Sequence, residues 1–490
     1  MIRCTVILSL TLGLTTLAAQ DRPVTLPAGY TVETIPTPEG VAFGVGGMSF
    51  ADDGTLYCST REGEVWTLAD GAWNRFAEGL HEPLGLYVEP KTDRVFVVQR
   101  GELTELVDEN GDGRADLFRC VCDAWGLTDN YHEYAFGLVR DADGNFYGTL
   151  NTSLSWPGWA KSDKWDVARV HDSKMGRAAP YRGWSFRVTP EGRFEPWSCG
   201  LRSPAGIGMS PEGELFYTDN QGDWVATSGL HVLEKGRFHG HPSSLTDHPD
   251  YRGVDLNSIP VERYRELRTP PAVWFPHGDL ANSPGEPVFD TTGGRFGPFA
   301  GQIFCGDQSR SNVFRVVLDE VDGEYQGAAI DFADHLQSGV VRARFAADGS
   351  LWLGQTGRGW RSRGPAFYGM QRIVWDGSTM PFAIHSVRLT PDGFDVRFTS
   401  PPAARGADLA AGFRIAHWGY LYRPEYGSPK VDRTEVDVRD ATLDADGVTV
   451  HLNLPLARER VYELRIQLDG ADGTPLANRV AYYTLNRLRG

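Results

Sequence analysis

The sequence predicts an all-β protein, a roughly six-bladed β-propeller followed by a small C-terminal β-sandwich. Two observations carry this. An Asp/Glu-Gly turn followed by alternating apolar residues recurs at 51–60 (ADDGTLYCST), 141–150 (DADGNFYGTL), 210–219 (SPEGELFYTD) and 346–355 (AADGSLWLGQ), with a looser copy at 189–198 (TPEGRFEPWS). The texture then changes at Met380-Pro381, after which 382–400, 446–455 and 460–467 alternate cleanly between polar linkers.

An acidic residue and glycine leading into period-2 alternation mark a hairpin turn entering a strand, and many such hairpins with few helical stretches fit propeller blades. At about 50 to 60 residues per blade, residues 20–379 hold roughly six. Residues 380–490 then form a separate sandwich with the texture of fibronectin type III modules. The interval 150–190, rich in Trp, Gly and Lys, predicts an insertion over one mouth of the propeller. One helix is expected over 259–268, with Ser258 as its cap and Pro260 in the first turn.

Residues 1–19 have the pattern of a secretory signal: Arg3, the apolar run Val6–Leu14, and small residues at 17–19. The chain after cleavage has no further apolar run of the ~20 residues a span needs, so a secreted or periplasmic protein is expected. It would carry 47 basic and 64 acidic residues, and no basic cluster, which argues against nucleic acid or anionic lipid as partners. Five cysteines remain, Cys58, Cys120, Cys122, Cys199 and Cys305, an odd number for an exported chain.

Chemistry is expected first at TDNYHEYAFG (128–137), where His132 follows Asn130 and Tyr131 and precedes Glu133 at the head of an apolar run. A second cluster is DENGDGRAD, which sets Asp108, Asn110, Asp112 and Asp116 on alternate positions of a calcium-type loop; a metal-free Asx turn suits the same pattern. Next come Arg202 and the strand-end run Asp219, Asn220, Gln221, Asp223 and Trp224, suited to a metal or a polyhydroxylated ligand with Trp224 as a stacking face. His239 and His241 lie two apart on an extended stretch and could face one ion. Asp307 and Gln308 sit at another strand end, Arg342 and Arg344 share one strand face, and Trp360 follows in a glycine-rich loop.

The segments NYHEYAFGLVRDADGNFYGTLN, CGLRSPAGIG and YTDNQGDW with LEKGRFHGHP resemble the glucose/sorbosone dehydrogenase superfamily, which includes soluble pyrroloquinoline quinone (PQQ) sugar dehydrogenases. The phrases DNQGDW, GPFAGQ, GEYQGA and YYTLN resemble secreted, "membrane-bound dehydrogenase-like" propellers of planctomycete- and Bacteroidetes-type bacteria. The resemblance implies His132 as catalytic base, Arg202 as a catalytic and quinone contact, and Arg342, Arg344, Asp307 and Gln308 around the cofactor. It further implies calcium, with Asp219, Asp223 and His239 as ligands beside the 108–116 loop. Asn130, Tyr131, Glu133, Asn220, Gln221, Trp224 and Trp360 would meet a saccharide or polyol. Two positions depart from the family pattern: Ser203 stands where it has asparagine, and Ala205 where it has glutamine.

The function this implies is that of an exported quinone-type sugar or polyol dehydrogenase. A metal-dependent polysaccharide lyase or hydrolase on the same site, and a non-enzymatic glycan-binding propeller, are the alternatives.

Overall fold

The computed structural model describes residues 22–489 except 156–166, 358 and 360; the expected signal segment and Trp360 lie outside the described residues. Six four-stranded antiparallel sheets follow one another along the chain. The first contains Val45–Phe50, Leu56–Thr60, Val65–Ala69 and Ala72–Ala77, and the second Gly85–Val88, Val95–Val98, Leu103–Val107 and Leu117–Cys122. The third contains Ala135–Arg140, Phe146–Leu150, Trp184–Val188 and Phe194–Cys199, and the fourth Pro204–Met209, Leu215–Asp219, Ser228–Val232 and Val273–Phe275. The fifth is built from Pro284–Phe289, Ile303–Asp307, Asn312–Val321 and Glu324–Ala333. In the sixth, Val340–Phe345, Leu351–Thr356 and Tyr368–Trp375 are completed by the N-terminal strand Tyr30–Thr34, with Tyr30 opposite Trp375.

The first strand of each sheet touches the first strands of its two neighbours, and the sixth returns to the first, so the inner strands close a ring. A propeller has this geometry because closure hides the edges that an open sheet leaves unpaired. The inner strands are crowded: a Cβ on Gly85 would lie 1.3 Å from the carbonyl oxygen of Gly137 in the next sheet. Between sheets the core is apolar, as where Phe96, Val98 and Leu103 of the second meet Phe146 and Phe186 of the third. The Asp/Glu-Gly turns join first to second strands at one end of the ring, so the second strands deliver their ends to the other.

The C-terminal region forms the expected sandwich, but not as a detached unit. One sheet contains Ile384–Thr390, Gly393–Phe398, Thr449–Asn453 and Asp440–Leu443. The other contains Val480–Leu485, Arg460–Ile466, Phe413–Gly419 and Val431–Val436, and it continues the fifth propeller sheet, since Val480–Leu485 pairs with Glu324–Ala333. Val317 and Ile330 of the fifth sheet share a buried cluster with Phe394, Val396, Ile415 and Leu464. Alternation alone shows which residues face a core, but not that an outer strand of a propeller sheet finds its partner 150 residues later.

The helix runs Val261–Leu267, shorter than expected, with Pro260 rather than Ser258 at its cap. The described part of the 150–190 interval contributes a small sheet of Ser153–Leu154, Met175–Arg177 and Ala168–Arg169. All five cysteines are free thiols, and all but Cys120 are buried or nearly so.

Candidate active site

The ends of the second strands build a cavity on the ring axis. Seven residues after Gly54, Gly144 and Gly213, the glycines of three turn phrases, and after Gly301, which belongs to none of them, stand Arg61, Asn151, Asn220 and Gln308. All four line the cavity, together with Leu84, Tyr134, Ser203 and Ser283, which directly precede inner strands. The cavity encloses ≈ 520 Å³ of empty space, counting the part open to solvent. Arg61, Asn151, Ser283 and Tyr134 were not singled out by the sequence, although the fixed offset from the repeating glycine points to the first two; Ser203 stood out there only as a departure from the resemblance.

His132 lines the same cavity from the loop before the third sheet. Its Nδ1 lies 2.8 Å from the Thr152 carbonyl oxygen, which can only accept, so Nδ1 carries the proton and Nε2 keeps its lone pair. Nε2 lies 3.4 Å from Ser203 Oγ. Burial pulls the imidazole pKa down to about 3, helped by the guanidinium of Arg202 and then those of Arg100 and Arg182, and only the Thr152 carbonyl opposes this. At neutral pH the ring is uncharged.

The neighbours of His132 position it and do not face a ligand. Asn130 donates to the Leu154 carbonyl at 2.8 Å, and its Oδ1 accepts from the backbone N–H of His132 and of Leu154, both at 3.2 Å. The Glu133 carboxylate accepts from Ser153 Oγ and the Thr128 N–H, both at 2.6 Å. Their side chains are committed to folding the loop, which corrects the expectation that they touch substrate. Tyr131 packs edge-on to His132 and Tyr134.

Two strand-end aspartates repeat one device. Asp219 accepts from the N–H groups of Arg202, Ser203 and Asn220 at 2.9, 2.8 and 2.9 Å. Asp307 accepts from those of Asn282, Ser283 and Arg310 at 2.7, 2.5 and 2.8 Å. Burial pushes the Asp219 carboxyl up to about 6, while the three backbone donors favour its charged form. Both carboxylates thereby fix the loops that carry Ser203 and Ser283 to the cavity.

Several expected ligand contacts are spent elsewhere. Arg342 donates to the carbonyl oxygens of Gly46, Leu84, Ala205 and Val341, which occupies its guanidinium, and Arg344 pairs with Glu286 at 2.5 Å and does not line the cavity. Trp224 is 2% exposed and packs on Tyr264 and Tyr422, leaving no face for a sugar. Gln221 donates to the Ala226 carbonyl, and Asp223 accepts from the N–H groups of Lys174 and Met175. His239 packs against His231 and Tyr217, away from these aspartates' partners. Asn220 reaches Ser283 Oγ at 3.3 Å and leaves its buried Oδ1 unpaired, as Asn151 does.

Among the described residues no three His, Cys, Asp or Glu side chains converge as metal ligands. In the exposed 108–116 loop, Asp108 accepts from the N–H groups of Gly111 and Gly113, Asn110 from Asp112, and Asp112 from Arg114, the pattern of Asx turns. That loop joins a third to a fourth strand, at the end of the ring opposite the cavity mouth.

Arg202 is different. It is 7% exposed, yet among the described residues its side chain makes no hydrogen bond or ion pair, and its buried Nε is unpaired. A buried guanidinium with free donors fits one carboxylate of an anionic ligand, and the unpaired amide oxygens of Asn151 and Asn220 fit hydroxyl or N–H donors.

Residues 67–293 match a protein family described as a domain of unknown function (DUF7133). None of the curated proteins matches the chain. Among solved structures, an oxidoreductase described as a glucose dehydrogenase from Thermus thermophilus is 20% identical, with a TM-score of 0.50 over 71% of this chain and 100% of its own. The PQQ domain of pyranose dehydrogenase from Coprinopsis cinerea, in its holo form, is 12% identical, with a TM-score of 0.51 over 72% and 97%. A calcium structure of a carbohydrate-active AA12 enzyme from Trichoderma reesei is 13% identical, with a TM-score of 0.51 over 74% and 99%. The chain thus has the all-β propeller fold of these sugar dehydrogenase-like structures.

Proposed function

We propose that the protein is an exported carbohydrate oxidoreductase that oxidises a hydroxyl of a sugar or polyol, with His132 as the base and PQQ as the acceptor. The observation that carries this reading is the neutral His132, whose protonated Nδ1 is fixed on Thr152 and whose Nε2 lone pair stands at the axial cavity. Export rests on the signal pattern of residues 1–19; among the described residues no helix is long and apolar enough to cross a membrane.

PQQ, when bound, supplies the two-electron acceptor that side chains lack. Arg202 would pair with one of its carboxylates, and Asn151, Asn220 and Gln308 would hold polar groups of cofactor or substrate. His132 Nε2 takes the hydroxyl proton. Burial weakens this base most and the guanidinium of Arg202 next, so an anion on Arg202 would offset the second of these causes when the site is filled. Calcium belongs to the same reading as a partner of the bound quinone.

The test is dye-coupled oxidation of a panel of sugars and polyols by protein prepared with PQQ and calcium, alongside His132→Gln. Turnover that falls about 10²- to 10⁴-fold in the variant, with PQQ still bound, supports the reading. Absence of both PQQ binding and dye reduction by the wild type overturns it.

A further inference from the structure

The C-terminal region reaches Arg202, next to the cavity-lining Ser203, through one loop. Its residues 422–428 lie on the fourth propeller sheet's strand-end loop. Trp224 N–H donates to the Arg423 carbonyl at 3.1 Å, Gly427 N–H to that of Gly222 at 2.9 Å, Ser428 N–H to that of Ala226 at 2.8 Å, and Tyr422 Oη to that of Gly240 at 2.5 Å. Backbone pairing of Asp223 with Tyr426 completes the attachment. Tyr426 is thereby held over Arg202, its ring centroid 5.3 Å from the guanidinium carbon, while half of its own surface stays open at 50% exposure.

Arg202 also packs against bare backbone. A Cβ on Gly222 would lie 1.9 Å from Arg202 Nε and 2.0 Å from its Cζ. The guanidinium thus contacts both a glycine backbone and an aromatic ring. Stacking of this kind fixes the plane of a guanidinium without consuming its N–H donors, which an ion pair or carbonyl contacts would do. Arg342 and Arg344 show the other arrangement, with their donors occupied.

We propose that Tyr426 is a positioning residue of the active site: the C-terminal region supplies it to hold Arg202 with its donors free for an anionic ligand. The inference rests on the reading of Arg202 as a ligand contact. The solved structures described above are matched over 97–100% of their length by 71–74% of this chain, so the shared fold is the size of the propeller alone. A site wall taken from outside the propeller is then a feature through which this chain differs in what it binds.

The test compares wild type, Tyr426→Ala and Tyr426→Phe in two measurements. In the first, phenylglyoxal modification of Arg202 is followed by peptide mass spectrometry without any ligand. Tyr426→Ala should speed modification about tenfold, whereas Tyr426→Phe, which keeps the ring, should leave it within about twofold of wild type. Equal rates in wild type and Tyr426→Ala, with unchanged circular dichroism, overturn the positioning role. In the second, PQQ is titrated: Tyr426→Ala should raise the Kd about tenfold, and Tyr426→Phe should restore it. A wild type that binds no PQQ sinks the oxidoreductase reading, and the modification rates still decide whether Tyr426 holds Arg202. Tight PQQ binding that is unchanged in Tyr426→Ala overturns the proposal while leaving that reading standing.

Discussion

Arg342 Nε lies 2.6 Å from the carbonyl oxygen of Gly46, which ties the sixth propeller sheet to the first. The same guanidinium donates to Leu84 before the second sheet and Ala205 in the fourth, at 2.7 Å each. Its carbon stands 5.2 Å from the ring centroid of Phe136 in the third, and its Nε is 4.0 Å from Glu286 in the fifth. One side chain touches all six inner strands. Burial pulls its pKa down to about 10, which leaves it charged at neutral pH.

Replacing this group strands several buried carbonyl acceptors at once. Arg342→Met should therefore cost at least ~3 kcal/mol, because each unpaired buried group costs about 1–3 kcal/mol. Chemical denaturation followed by tryptophan fluorescence measures it. A loss under ~1 kcal/mol would show that the arginine is not the axial tie.

Gly222→Ala should act on ligand binding more than on folding. Its new Cβ occupies the place of the Arg202 guanidinium, which must leave its stack on Tyr426. The expected outcome is a roughly tenfold weaker Kd for PQQ. Titration of the variant beside wild type reads this, with a melting curve as the control for folding.

Trp224→Ala should do the reverse. The indole is buried among Tyr264, Tyr422 and Phe238 and faces no cavity, so its loss should cost ~3–5 kcal/mol of stability. A folded variant with near-normal stability and lost sugar affinity would instead restore Trp224 as a stacking platform.

Acid should destabilise the fold between pH 6.5 and 3. His132, His239 and His241 each have a pKa lowered from 6.5 to about 3, in every case first by burial and then by a nearby guanidinium. In that window the unfolded chain binds protons that the folded chain refuses. Their neutral burial is fully tolerated above pH 6.5, and stability falls as pH drops towards 3, by at most ~1.4 kcal/mol per pH unit for each histidine. Denaturation midpoints at pH 7, 5.5 and 4.5 check the slope, which His239→Gln should make shallower.

The sequence by itself determined the sheets and pointed to His132. Asp/Glu-Gly turns with alternating residues are local signals, because a strand's two faces are set by its own period, and they carried the propeller and the sandwich strands. The same repeat fixes which residue follows three of the second strands, so Asn220 was legible and Arg61 and Asn151 follow from the same offset, whereas Gln308 follows a strand whose turn lacks the Asp/Glu-Gly phrase. Only the tertiary structure decided how side chains spend their hydrogen bonds. Arg342 looked like a ligand contact, but its partners come from residues 46, 84 and 205, and ring closure alone brings these together. Trp224 lost its expected open face for a related reason: Tyr422, from a loop 200 residues downstream, covers it, and the same loop carries Tyr426 to Arg202. Burial and long-range pairing depend on the whole chain's path, and no local pattern records it.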